Sequence, residues 1–122
     1  MTEVKQAQPS LRKTPLKEKG IRKAEEFNLL FQSGRRISTR HYMVFCRDSD
    51  GTRFGLAVSR AIRKAVARNV AKRRTKEIIR KHLDCLPKNK RFVLLAKAGV
   101  ERERFRILEA EVLKLFGLLE RS

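Results

Sequence analysis

The stretch AVARNVAKRRTKEIIRKHL, residues 65–83, decides the fold. It contains neither Gly nor Pro, and its spacing predicts a helix with two distinct faces. At about 100° per residue, Ala67, Ala71, Thr75, Ile78 and Ile79 fall in one sector roughly 120° wide. That face can pack onto a sheet, and its small residues permit close approach. Asn69, Arg73, Lys76 and Arg80 lie within about 60° of one another on a second face, with Lys72 between the two and Arg68 toward the edge of the first. One side of the helix is therefore core, and the adjoining side is a cationic strip with an Asn in it.

A helix that needs only to be soluble mixes signs, with Glu and Lys four residues apart. Here Glu77 is the only acid between Arg60 and Lys81, among ten Lys and Arg residues. The whole chain shares the bias: 31 Lys/Arg against 13 Asp/Glu in 122 residues give a formal net charge of +18. Self-repulsion on that scale opposes folding, so it points to a compensating polyanion: nucleic acid, an acidic membrane surface or an acidic protein. A solvated face does not require such crowding, and a nuclear-localisation signal needs an extended exposed run. Phosphate binding accounts for the strip better than either. Asn69 adds a group able to hydrogen-bond a base or ribose, which charge alone cannot do.

Upstream, residues 1–20 hold two of the three prolines, many lysines and little that could form a core. They read as a mobile basic arm, with a single α/β domain over 21–122. IRKAEEFNLLFQSG (21–34) spaces Ile21, Ala24, Phe27, Leu30 and Phe31 by three and four and ends in Ser33-Gly34, a helix with a glycine stop. HYMVFCR (41–47), the turn cluster DSDG (48–51) and RFGLAVS (53–59) read as a β-hairpin, and Gly55 hints at a bulge or a close backbone approach. Downstream, RFVLLAKAG (91–99) is a buried strand. Phe105, Leu108, Val112, Leu115 and Leu119 then define a final amphipathic helix. The order α-β-β-α-β-α is that of an α/β sandwich, helices against a small sheet.

Protein-borne catalysis finds little support. His41 and His82, the only histidines, sit in no nucleophile or metal-ligand motif, and no Walker loop or GxGxxG occurs. Cys46 and Cys85 have neither metal-ligand nor disulfide-scaffold spacing, and Cys46 reads as a small core residue. No apolar run approaches a membrane span and no secretory signal opens the chain, so a reducing, cytoplasmic setting is expected. Phe27 and Phe31, one helical turn apart, and Tyr42 and Phe45 in the first strand are either core or a stacking surface for single-stranded RNA beside the basic strip. A ribosomal-type RNA-binding protein, a DNA-binding protein with a major-groove helix and a stand-alone nuclease are the competing readings. No partner helix or dimerising seam supports the second, and no catalytic cluster supports the third.

The strand ending AVSR (57–60), followed by AIRKAVARNVAKRRTKEIIR (61–80), resembles the signature of the bacterial ribonuclease P protein subunit. Ala65, Arg68-Asn69, Lys72-Arg73 and Lys76 fall at that family's positions, and EEFNLLFQSGRR (25–36) resembles its first helix. The likeness covers about residues 15–120. Val70 stands where the family usually has another basic residue, and Arg63 where it often has glycine; Arg63, Lys64 or Arg74 could supply the missing contact. The resemblance implies an α/β sandwich with one more short strand from part of 36–47, and a left-handed β-α-β crossover. It also implies removal of the 5′ leader from precursor tRNA, with Mg²⁺ and hydrolysis belonging to the RNA subunit. Under it, Arg68, Asn69, Lys72, Arg73 and Lys76, together with Arg80 of the same strip, face the catalytic RNA. Phe27, Phe31 and Phe45 line a cleft for the single-stranded leader, flanked by Ser59 and Arg60. The implied protein is a monomer bound 1:1 to its RNA.

Overall fold

The computed structural model describes residues 24–121. The basic arm expected over 1–20, and the start of the first helix at Ile21, lie outside the described residues. Helix α1 spans Ala24–Ser33 and stops at Gly34, whose N–H donates to Leu30 O at 2.9 Å. Strands β1 (Arg35–Ser38), β2 (Tyr42–Asp48) and β3 (Arg53–Val58) follow, then α2 (Ala65–Lys81) and a 3-10 turn (Leu83–Cys85). Strand β4 (Lys90–Ala96) and α3 (Phe105–Arg121) complete the fold.

The expected hairpin between 41–47 and 53–59 does not form. The sheet order is β1-β2-β4-β3, so β4 separates the two strands that were expected to pair. It runs antiparallel to β2, from Tyr42↔Ala96 to Asp48↔Lys90, and parallel to β3, from Arg53↔Arg91 to Val58↔Ala96. The physical reason is the apolar run of β4: Phe92, Val93 and Leu94 are all fully buried, and only a central strand covers both faces in this way. The hairpin instead joins β1 to β2, closed by Thr39 N–H donating to Tyr42 O at 2.8 Å. Strand β1 is the additional short strand that the resemblance implied. β3, α2 and β4 form a β-α-β unit with its strands adjacent and parallel.

One face of the sheet carries the main core. Tyr42, Val44, Cys46, Phe54, Phe92 and Leu94 meet Ala71, Ile78 and Ile79 of α2 and Leu108, Val112, Leu115, Phe116 and Leu119 of α3. Phe92 sits at its centre, stacked on Phe54 at 5.9 Å and edge-on to Phe116 at 5.7 Å. The α2 face predicted from periodicity is the buried one, with Ala67 at its margin. The opposite sheet face carries a smaller cluster of Leu30, Phe45 and Val93, edged by Phe27, Met43, Ala57 and Leu95. Among the described residues only α1 packs there, and they leave part of that face as an apolar-floored surface.

Candidate nucleic-acid interface

Two surfaces emerge, one on α2 and one on the α1 side of the sheet. On α2, Asn69, Lys72, Arg73, Lys76 and Arg80 are all exposed, as the wheel predicted. Arg80 lies 3.7 Å from Glu77 in a solvent-open pair, which contributes little. Asn69, Lys72, Arg73 and Lys76 have no partner among the described residues. The first turn of α2 holds no acid and its N-cap Lys64 makes no side-chain cap, so its free N–H groups add to the positive field of Arg63 and Lys64.

Arg68 is placed differently from its neighbours. Its Nη1 donates to Ile62 O at 3.2 Å and Arg63 O at 3.0 Å, closing the turn that leads into α2. Arg74 is also engaged, donating to Val100 O at 2.8 Å and to Glu103 O, and so it fastens the loop before α3. That makes Arg74 a poor substitute for the base missing at Val70, while Arg63 and Lys64 are exposed.

On the other surface, Phe27 lies over Gly55: a Cβ on Gly55 would fall 2.5 Å from the Phe27 ring. The close approach suspected at this glycine is thus real, and no bulge is needed to explain it. Phe31 stands 6.3 Å from Phe27 and packs edge-on against Phe45 at 4.9 Å. The three predicted rings are therefore together, with Phe31 exposed, Phe27 half-buried and Phe45 forming the floor. Tyr42 is not among them. It is fully buried on the opposite face, where Thr75 Oγ1 donates to Ala71 O and accepts from the Tyr42 hydroxyl at 3.0 Å. Burial pushes the Tyr42 phenol up to about 12.

Ser59 and Arg60 join the two surfaces. Ser59 Oγ accepts from Ala61 N–H at 3.1 Å, which folds the chain from β3 toward α2 and leaves Arg60 exposed. Sequence reasoning missed Arg36, the register partner of Phe45 on β1. The alternation of RRIS could have placed it, had β1 been recognised as a strand.

The acids are deployed elsewhere. Glu111 accepts from Thr39 Oγ1 at 2.6 Å and from the backbone and Nδ1 of His41 at 2.8 and 3.0 Å. Burial pushes its carboxyl up, but these hydrogen bonds outweigh it and hold Glu111 below the ordinary value. Glu103 approaches the other ring nitrogen of His41 at 3.3 Å. Glu109 meets His82 at 2.7 Å and is likewise held low, by that hydrogen bond and by Lys81. His82 thus ties α2 to α3. Among the described residues no group of three or more His, Cys, Asp or Glu could hold a metal ion, and no helix is long and apolar enough to cross a membrane.

Known proteins share this fold and part of this sequence. A ribonuclease P protein component from Desulfovibrio desulfuricans is 38% identical over 107 residues, spanning 83% of this chain and 82% of that protein. The RNase P protein from Thermotoga maritima superposes with a TM-score of 0.71 at 27% identity, covering 84% of this chain and 96% of that one. The Staphylococcus aureus RNase P protein shares the fold at a TM-score of 0.71 and 20% identity, covering 82% and 94%. A family model described as Ribonuclease P matches residues 16–120, and on that match the chain belongs to the ribonuclease P protein family.

Proposed function

We propose that the α2 strip binds the catalytic RNA of ribonuclease P while the aromatic cleft grips the 5′ leader of precursor tRNA. Members of this family are subunits of the endoribonuclease that processes tRNA 5′ ends, with ribonuclease P RNA as their partner, and this chain is one of them. The observation that carries the division of labour is the path from exposed Phe31, over Phe27 and Gly55, to Ser59, Arg60 and the acid-free start of α2. Single-stranded bases stack on aromatic faces and their phosphates seek the adjoining cations. Asn69, Lys72, Arg73, Lys76 and Arg80 would face the catalytic RNA. Arg68 would act there chiefly by fixing the turn, with its remaining N–H groups turned outward.

The chain's own contribution is electrostatic and positional. The catalytic RNA and its substrate are both polyanions, and a +18 protein at their junction supplies fixed positive charge. That lowers the Mg²⁺ the complex requires and favours leader-bearing substrate over leaderless product. Under this reading the Mg²⁺ ions and the hydrolysis belong to the RNA, and the protein holds the two RNAs together. One protein per RNA and a cytoplasmic setting complete the reading.

The test follows leader release from 5′-labelled precursor tRNA at low Mg²⁺, using this protein and a bacterial ribonuclease P RNA, with each component omitted in turn. Cleavage that requires both is the expected result. RNA binding without restored cleavage would favour a ribosomal-type role, and cleavage by protein alone would place the chemistry on the wrong partner.

A further inference from the structure

Beyond the aromatic floor the same sheet face turns cationic. Phe45, Val93 and Gly55 form one cross-strand row, and two residues along each strand the next row is Arg47, Arg91 and Arg53. With strands about 4.8 Å apart, Arg47 and Arg53 stand roughly 10 Å apart across Arg91, and about 7 Å beyond the aromatic row. Like charges directly opposite on neighbouring strands are destabilising, so such a row is costly unless an anion covers it.

No acid is positioned to cover it from β2. Asp48, next to Arg47, projects to the other face, where it accepts from Lys90 Nζ at 2.5 Å and Arg35 at 3.3 Å. The Lys90 contact holds its carboxyl below the ordinary range. Arg91 Nε donates to Ser49 Oγ at 3.0 Å, which ties the middle of the row to the β2–β3 link. Arg47 and Arg53 are exposed and have no partner among the described residues.

We propose that Arg47 and Arg53, flanking Arg91, clamp backbone phosphates of the upstream part of the leader. The inference rests on the reading of the cleft as the leader site. Under that reading the catalytic RNA sits at α2, beside Ser59 and Arg60, and the cleavage site lies at that end of the cleft. The arginine row is at the other end of β3, six residues or roughly 20 Å away. A strand leaving the cleavage site therefore crosses the aromatic floor first and reaches Arg47 and Arg53 last. The clamp acts only on leaders long enough to arrive there.

The experiment uses the protein reconstituted with a bacterial ribonuclease P RNA, and precursor tRNAs with leaders of about two and about twelve nucleotides. At roughly 3.4 Å per stacked nucleotide, the first covers about a third of the distance and the second all of it. The double variant Arg47→Gln/Arg53→Gln should bind the long-leader substrate about tenfold more weakly, with a salt slope shallower by about 1.4. Affinity and cleavage rate for the short leader should stay within about twofold, which also reports that the variant is folded. Equal loss on both leaders, or no loss on the long one, overturns the clamp. Phe27→Ala measured in parallel separates the two readings. If it weakens long-leader binding and the arginine variant does not, only the clamp fails. If neither does, the leader-cleft reading itself fails.

Discussion

Gly55 and Phe27 occupy complementary space: the missing Cβ of the glycine, which would lie 2.5 Å from the ring, is what lets Phe27 rest on β3. Gly55→Ala should therefore eject Phe27 from its seat. The expected cost is about 1–3 kcal/mol of stability from overpacking, together with reduced preference for precursor over mature tRNA. Phe27→Ala should lose the same preference. The double variant should be less destabilised than the two single losses added, because each substitution removes the other's clash or support. Denaturant unfolding and paired tRNA affinities measure both quantities; strictly additive losses would show that the contact is not the operative one.

Arg68 and Arg73 carry the same charge on the same helix but hold different positions. Arg68 closes the turn into α2 through Ile62 O and Arg63 O, whereas Arg73 has no partner among the described residues. Arg73→Ala should leave stability within about 0.5 kcal/mol, as expected of an exposed site. It should weaken association with the catalytic RNA, with a salt slope shallower by about 0.7–0.9. Arg68→Ala should instead lower stability by about 1 kcal/mol through the lost hydrogen bonds. Unfolding curves and salt titrations of both variants test the distinction, and matching profiles would remove it.

The single tyrosine permits a direct check of the core, since the chain also lacks Trp. Burial raises the Tyr42 phenol from 10.0 to about 12. Its folded value lies above the unfolded one, so its contribution is complete below the unfolded value and is lost as pH rises through the folded one. Phenolate absorbance should rise near pH 12 in the folded protein and near pH 10 in denaturant. Tyr42→Phe should flatten the fall in stability between those limits. A folded-state titration near pH 10 would mean that the ring is not buried as described.

The helices were legible in the sequence because their burial has a period. Ala71, Thr75, Ile78 and Ile79 of α2, and Leu108, Val112, Leu115 and Leu119 of α3, are the buried residues that the spacing marks. Strand neighbours were not legible. Alternation says which side chains share a face, but a four-residue link between 48 and 53 does not reveal that β4 enters between β2 and β3. That choice belongs to a non-local run some 40 residues downstream of β2. The α2 strip followed from the wheel, but the fate of Arg68 and Arg74 depended on carbonyls in adjoining loops, which no periodicity encodes. Alternation puts Tyr42 and Phe45, three apart in one strand, on opposite faces, but it does not say which face meets α2 and α3 and which meets α1.

The acid side of the pH profile should depend on Glu111. Its carboxyl lies below the ordinary 4.5 because the bonds from Thr39 and His41 outweigh the effect of burial. The unfolded chain then takes up the proton first as pH falls, so the stabilisation is present above about 4.5 and is lost as pH drops through the lower folded value. Glu111→Gln keeps the shape and removes the charge. It should be less stable than the parent at neutral pH and should lose less on acidification, so the two stability curves converge toward low pH. Glu109, held low by His82 and Lys81, adds a parallel dependence at the α2–α3 contact, and Glu109→Gln offers a second, separable measurement. Thermal unfolding of the three proteins from neutral pH down to about pH 3 measures the difference. Curves that remain parallel throughout would show that the Glu111 hydrogen bonds do not favour its ionised form.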